Sequence, residues 1–290
     1  EGLCARDRPP GRVIGRRTRT HPIPLLQRRN PPMFESTDKF TAETITEIHT
    51  WTPKLFSFKT TRDQGYRFTP GQFARLGVRS AAGELVWRAY SIVSASYDEH
   101  LEFYSIVVPG GAFTSQLTEL AVGDRILVER KSYGFLTTDR FECGKDLWML
   151  STGTGLAPFL SILYDFATWE QYENLIVVHS VREADELAYA EAIRQFKAHE
   201  LFRDYAARLH YVPAVTREEV PGALRSRITD LIATGELEDH LGIRIDGDRS
   251  RIMICGNPEM VDDTRELLTK RGLRVSRRGD PGQVAVENYW

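Results

Sequence analysis

Four times after Lys145, a short and continuously apolar run gives way to a stretch with helical spacing: 146–150 then 156–169, 174–178 then 186–199, 209–215 then 224–234, and 251–254 then 259–271. A run that is apolar at every position, rather than at every other one, reads as a strand buried on both faces. Such strands belong to parallel sheets, because the helices that carry the chain between them cover both sides. The pattern therefore predicts an α/β domain with a doubly wound parallel sheet over 141–290. Ligands of these sheets bind outside the carboxyl ends of the strands, so the residues that follow each run are the ones to read for chemistry.

The first run leads into Ser151-Thr152-Gly153-Thr154-Gly155-Leu156-Ala157-Pro158. Two glycines let a ligand approach the backbone, and amides at a helix start attract an anion. An ordinary tight βα turn reads the same way. His179, Ser180 and Arg182 follow the second run, and Thr216 and Arg217 the third, with Arg225 and Arg227 close behind. Arginines at strand tips, with no acid directly beside them, suit a phosphorylated ribose; a plain ribose asks for a carboxylate. Taken singly, each reads equally as a solvated surface arginine. Cys255-Gly256-Asn257-Pro258 follows the fourth run, and its cysteine reads as packing or as chemistry. The sequence closes on Val284-Ala285-Val286-Glu287-Asn288-Tyr289-Trp290, whose two last aromatics ask for a flat cover.

Before residue 140 the rhythm differs. Segments 40–48, 55–60, 72–78, 101–108 and 125–128 are short and rich in β-branched and aromatic residues. Turns fall at Asp63-Gln64-Gly65, Pro70-Gly71, Ala82-Gly83 and Gly123-Asp124, with one helical patch over 113–120. This spacing predicts an antiparallel β-barrel over 33–140. One strand, opened by Leu85-Val86-Trp87, ends in Arg88-Ala89-Tyr90-Ser91-Ile92. With arginine, tyrosine and serine on one face, a guanidinium can fork onto a phosphate, a phenol can lie on an aromatic ring, and a hydroxyl can bond a ring nitrogen. Diphosphate, ring face and ring nitrogen are what a flavin dinucleotide presents. A cross-strand surface ladder is the plainer reading of five residues.

Charge and cysteine content exclude several classes. Residues 1–32 hold eight arginines, two acids and six prolines, a net +6 against −2 for the whole chain, which leaves −8 for the rest. Without aromatics or apolar periodicity, this Arg/Pro-rich stretch is expected to be a disordered extension, with the working protein beginning at Met33. An import signal would need an amphipathic helix that the prolines oppose, and a nucleic-acid arm would need stacking residues beside the charge. Cys4, Cys143 and Cys255 are far apart and odd in number. That argues for a reducing compartment and against a disulfide framework or a cysteine-ligated cluster, and no metal site is expected. No apolar run approaches the length of a membrane-spanning helix.

Taken in order, Arg88-Ala89-Tyr90-Ser91, Gly111-Ala112-Phe113-Thr114, the 153–158 loop, Cys255-Gly256-Asn257-Pro258 and the terminal aromatics resemble the bacterial ferredoxin/flavodoxin–NADP(H) reductases of the plant-type ferredoxin reductase superfamily, over about residues 33–290. The resemblance implies FAD in the barrel and NADP(H) on the sheet. Arg88 would pair with the FAD pyrophosphate, Tyr90 would stack on the isoalloxazine and Ser91 would bond its N5. Thr114, with the amides after Gly111, would hold the pyrophosphate from the helix start, and Ala89 and Phe113 complete the set. Thr152, Gly153, Thr154, Gly155 and Pro158 would take the NADP pyrophosphate; Arg182, Thr216, Arg217 and Arg227 would grip the 2′-phosphate. Cys255 would stand beside the nicotinamide with Glu287 as a polar neighbour. Tyr289 and Trp290 would shield the flavin ring and the adenine, and the extra FAD contacts of a second subgroup's longer tail are not expected.

The activity so implied is hydride transfer from NADPH to FAD, then release of single electrons to ferredoxin or flavodoxin, with Tyr289 moving aside as a gate. Arg75, Arg130 and Lys131 are candidates for docking an acidic carrier. A cytoplasmic monomer without nucleic-acid or membrane partners is expected. The rival readings are a NAD(P)H-dependent flavin reductase component of an oxygenase, a nucleic-acid-binding protein that uses the basic arm, and a flavin-free scaffold.

Overall fold

The computed structural model describes residues 35–288, apart from 81 and 197. The expectations for residues 1–32, Tyr289 and Trp290 lie outside the described residues.

The first half is a six-stranded antiparallel sheet built from β1 (Phe40–Thr52), β2 (Leu55–Thr61), β3 (Phe73–Arg79), β4 (Leu85–Ser91), β5 (His100–Ile106) and, after the short helix α1 (Thr114–Leu117), β6 (Arg125–Tyr133). The strand order is β4-β3-β6-β1-β2-β5. An antiparallel bridge between Ile92 and Phe103 joins the two ends of that order, which closes the sheet into a barrel. Its interior is filled by Ile45, Phe58, Leu76, Ile92, Leu101, Phe103 and Ile126, all buried. The helical patch expected over 113–120 shrinks to four residues.

The second half comprises β7 (Asp146–Thr152), α2 (Ala157–Leu163), α3 (Phe166–Gln171), β8 (Asn174–Val181), α4 (Ala190–Gln195), β9 (Leu209–Val215), α5 (Ile228–Thr234), α6 (Glu236–Leu241), β10 (Ser250–Gly256), α7 (Pro258–Lys270) and β11 (Val284–Asn288). The sheet order is β11-β10-β7-β8-β9, with every pair parallel. Alternate residues of β7 face opposite layers: Leu147 and Met149 pack with Phe159, Leu160 and Trp169, whereas Trp148 and Leu150 pack with Ile228, Leu231 and Leu268. Both faces are therefore covered, as continuous apolar strands require. The first layer also takes in Leu55, Val93, Tyr104 and Leu136 from the barrel. Barrel and sheet share a core and belong to one compact unit.

Several boundaries differ from expectation. The helix expected over 156–169 is a 3₁₀ turn (Gly153–Leu156), then α2, then α3 after a break at Asp165, which is extended. The helix expected over 186–199 starts only at Ala190, because Tyr189 turns left-handed. That over 224–234 starts at Ile228, because Leu224 bridges to Ala214 beside β9. The segment 284–288, read only as a tail, is the fifth strand, paired with β10; α3 and α6 were not anticipated as separate helices.

Candidate active site

Arg88, Ala89, Tyr90, Ser91, Gly111, Phe113 and Thr114 line one cavity of about 330 Å³ at the open end of the barrel. β4 delivers the first four. Period 2 puts Arg88 and Tyr90 on the same face and Ser91 on the other. Ser91 nonetheless borders the cavity because it is the last residue of the strand, next to the closing bridge at Ile92. The expectation that all three leave one face by alternation is corrected accordingly. The Tyr90 ring is wedged 5.4 Å from Phe113 and 6.4 Å from Phe103. Its hydroxyl shares a hydrogen bond with Ser105 Oγ at 3.0 Å. Burial pushes the Tyr90 phenol up to about 12 against the opposing pull of the Ser105 bond, so it is neutral at ordinary pH.

Arg88 is exposed on the lip and donates to the Trp87 carbonyl at 2.8 Å. Thr114 Oγ1 donates to Val108 O at 3.1 Å and accepts from Val108 N at 3.3 Å. Its hydroxyl thus closes the 108–114 loop on itself and shapes the cavity wall. Sequence reasoning missed the wall supplied by β5 and its exit: Tyr104, Ser105, Ile106 and Val108. The strand was legible, but its place beside the tip of β4 depends on a long-range bridge. The buried Tyr104 hydroxyl has no hydrogen-bond partner among the described residues. An aromatic wall of Tyr90, Tyr104 and Phe113, edged by hydroxyls and one guanidinium, fits a planar ring system with polar edges and an anionic tail.

The sheet meets this cavity directly. Thr154, from the loop after β7, and Ala157, which opens α2, complete its lining. That loop lies at the topological switch point, where β7 has β8 on one side and β10 on the other. It interlocks with the loop after β10. Thr152 Oγ1 accepts from Asn257 N at 2.8 Å, and Asn257 caps α7 by accepting from Met260 N. A Cβ at Gly155 would lie 2.3 Å from Cys255 O, and one at Gly256, where φ is 141°, would lie 2.1 Å from Thr152 Oγ1. Gly155 and Pro158 are buried and shape the loop, while Thr152, Gly153 and Thr154 remain partly exposed.

β8 runs on to Val181, so His179 and Ser180 are buried in the strand and not presented at its tip. His179 Nε2 donates to Gly153 O at 3.3 Å and holds the same loop from beneath. Burial lowers the His179 imidazole to about 4, leaving it neutral. Beyond β8 and β9 the backbone brings the two tip arginines side by side: Arg217 N donates to Arg182 O at 3.0 Å, and Thr216 Oγ1 donates to Val181 O at 3.2 Å. Arg182 and Arg217 are exposed, and Arg227 stands exposed at the N-cap of α5. The rim is not free of acids, contrary to the sequence reading. Glu183 lies 3.7 Å from the Arg217 guanidinium, and the Glu186 carboxylate accepts from Arg182 N at 2.9 Å. These acids lie in the segment after β8, which folds back to cap its own 3₁₀ turn.

Residues 43–132 match the family model of the oxidoreductase FAD-binding domain, and residues 149–266 match that of the oxidoreductase NAD-binding domain. The chain is 46% identical over 249 residues to the ferredoxin–NADP reductase of Pseudomonas aeruginosa, covering 84% of this chain and 95% of that protein. It is 38% identical over 249 residues to the flavodoxin/ferredoxin–NADP reductase of Rhodobacter capsulatus, covering 85% and 92%. Among solved structures it resembles the ferredoxin NADP⁺ reductase of Neisseria gonorrhoeae with bound FAD and NADP, with a TM-score of 0.81 and 37% identity over 88% of this chain and 100% of that one.

The chain belongs to the ferredoxin–NADP reductase family.

As a member of that family it is an oxidoreductase. Within this reductase fold, Cys255 is fully buried in the core of β10, opposite Ser151 of β7 and Glu287 of β11. Burial, with the Glu287 charge adding to it, pushes the Cys255 thiol up, so it is a thiol and not a thiolate. Glu287 also reaches the barrel, its carboxylate facing Gly134. Of the carrier-docking candidates, Arg75 is paired with Glu129 at 3.3 Å and Arg130 with Asp63 at 3.4 Å, while Lys131 is exposed. Among the described residues no cluster of side chains is arranged to hold a metal ion, and no helix is long and apolar enough to cross a membrane.

Proposed function

We propose that this chain catalyses electron transfer between NADPH and an acidic one-electron carrier, ferredoxin or flavodoxin, with FAD as the resident cofactor. FAD, when bound, takes hydride from NADPH and releases electrons singly. The observation that carries the reading is the meeting of two walls: the aromatic barrel cavity is completed by Thr154 of the dinucleotide loop and Ala157 at the start of α2. A ring held in the cavity and a nicotinamide held by that loop are thereby kept adjacent, which is what hydride transfer requires.

In this assignment Tyr90 supports the isoalloxazine face, Ser91 lies at its N5 edge, and Arg88 with the amides from Gly111 to Thr114 takes the diphosphate. Thr152, Gly153 and Thr154 take the NADP pyrophosphate; Arg182, Thr216 and Arg217, with Arg227 beyond them, take the 2′-phosphate. Cys255 and Glu287 border the nicotinamide, with Tyr289 and Trp290 as the covering aromatics. Residues 33–140 form the FAD-binding domain and 141–290 the NADP(H)-binding domain of a cytoplasmic monomer. No specific observation favours the oxygenase-component or nucleic-acid readings. Anaerobic reduction of a purified ferredoxin and a purified flavodoxin, driven by NADPH, tests the proposal. Rapid carrier reduction is the expected result. Flavin reduction without transfer to either carrier would move the activity to another acceptor.

A further inference from the structure

Among the described non-glycine residues, Tyr189 alone has a positive φ, at 62°. An L-residue rests in that conformation only where its surroundings hold it there. The Tyr189 ring is buried at 8% exposure, 4.8 Å from Trp51 and edge-on to Tyr104 at 5.2 Å. Its hydroxyl donates to Glu102 Oε1 at 2.7 Å. All three partners are barrel residues, from β1 and β5, whereas Tyr189 belongs to the sheet half and precedes α4. It closes the segment that leaves β8 at Arg182, and the backbone of Arg182 is bonded in turn to Arg217. Tyr104, against which the ring rests, lines the flavin cavity. One side chain therefore connects the arginine rim to the flavin wall.

We propose that Tyr189 is a positioning residue. Its hydrogen bond to Glu102 fixes the 182–189 segment, and with it the Arg182–Arg217 pair, at one distance from the flavin cavity. Gripping the ribose phosphate and placing the nicotinamide then become a single event. The left-handed turn is the local distortion that lets the ring cross to the barrel. The inference rests on the assignment of the 2′-phosphate to Arg182 and Arg217.

The test is anaerobic steady-state and rapid kinetics of the holoenzyme with NADPH and NADH, comparing Tyr189→Phe, Glu102→Gln, Glu102→Leu and Arg217→Gln. Tyr189→Phe keeps the ring and its Trp51 contact and removes the hydroxyl, with its bonds to Glu102 and Ser57. It is expected to raise KM for NADPH about five- to tenfold, the scale of one lost hydrogen bond. KM for NADH and flavin content should stay close to wild type. Glu102→Gln retains an acceptor oxygen and should behave as wild type, whereas Glu102→Leu should reproduce the NADPH-selective loss even if Tyr189→Phe yields no holoenzyme. A Tyr189→Phe or Glu102→Leu variant that shifts both KM values equally, or neither, while Arg217→Gln shifts their ratio, would reduce Tyr189 to a packing role. If Arg217→Gln also leaves the ratio unchanged, the phosphate assignment is wrong and the positioning role falls with it.

Discussion

The barrel cavity and the sheet rim bind by different physics. Around the cavity several polar groups are already committed, Tyr90 to Ser105 and Thr114 to the Val108 peptide, and the Tyr90 ring rests against Phe103 and Phe113, while the Tyr104 hydroxyl has no partner among the described residues. A ligand there gains apolar contact with a wall that needs little rearrangement, which suits a cofactor that stays. At the rim, the Arg217 side chain is 60% exposed and its guanidinium lies 3.7 Å from Glu183, whose side chain is 47% exposed. Such a pair is worth little in water and is easily exchanged for a phosphate. On the proposed assignment, shape retains one nucleotide, and charge selects and releases the other.

The largest effect is expected at Gly155. Adding a methyl group there forces a 2.3 Å contact with Cys255 O, so Gly155→Ala should lower stability by about 3 kcal/mol. It should also abolish NADPH-driven flavin reduction while the purified protein remains yellow. Thermal unfolding and flavin content check this, and loss of the flavin along with NADPH activity would mean that the two sites are one.

His179 gives a pH signature confined to the sheet. Its folded value, near 4, lies below the ordinary 6.5. The unfolded chain therefore binds the extra proton between those values, and stability falls as pH drops through that window. The loss should approach about 3 kcal/mol at pH 4 and grow no further from this group. Denaturant unfolding from pH 7.5 to 4 measures it, and His179→Asn should flatten the curve in that range.

Next in size, Arg217→Gln should cut the preference for NADPH over NADH about tenfold, the value of a charge-assisted contact to phosphate. Flavin affinity should not change. The smallest effect is expected at Tyr90→Phe, which removes the Ser105 hydrogen bond but keeps the ring. A stability loss of about 1 kcal/mol with the flavin retained, read by unfolding and by the visible spectrum, would place the Tyr90 contribution in its aromatic face.

Most of the sheet was legible because burial on both faces leaves an unbroken apolar run, and 146–150, 174–178 and 209–215 all fall within observed strands. The cavity residues of β4 were legible because arginine, tyrosine and serine at a strand end have few structural uses together. The β5 wall was not, since Tyr104 and Ser105 read as ordinary strand residues until the Ile92–Phe103 bridge swings them across. Segment 284–288 looked like a tail because its pairing with β10 spans the crossover through α7. The acids at the rim were missed because Glu183 and Glu186 sit past the strand tip in sequence and return to it only through their own capping turn. Long-range pairing and local capping escaped reading, and so did the two-residue period at Ser91, which leaves β4 on the face opposite Arg88 and Tyr90.

The most direct measurement is anaerobic stopped-flow reduction of the bound flavin by NADPH and by NADH, each at low and at high salt, with flavin content assayed in parallel. Screening acts on the exposed arginine rim and hardly at all on a buried aromatic cavity. NADPH-driven reduction at subsaturating nucleotide should therefore slow markedly in high salt, the NADH-driven rate should change little, and the flavin should remain bound. Equal salt responses for the two nucleotides, or release of flavin in high salt, would contradict the division of labour between charge and shape.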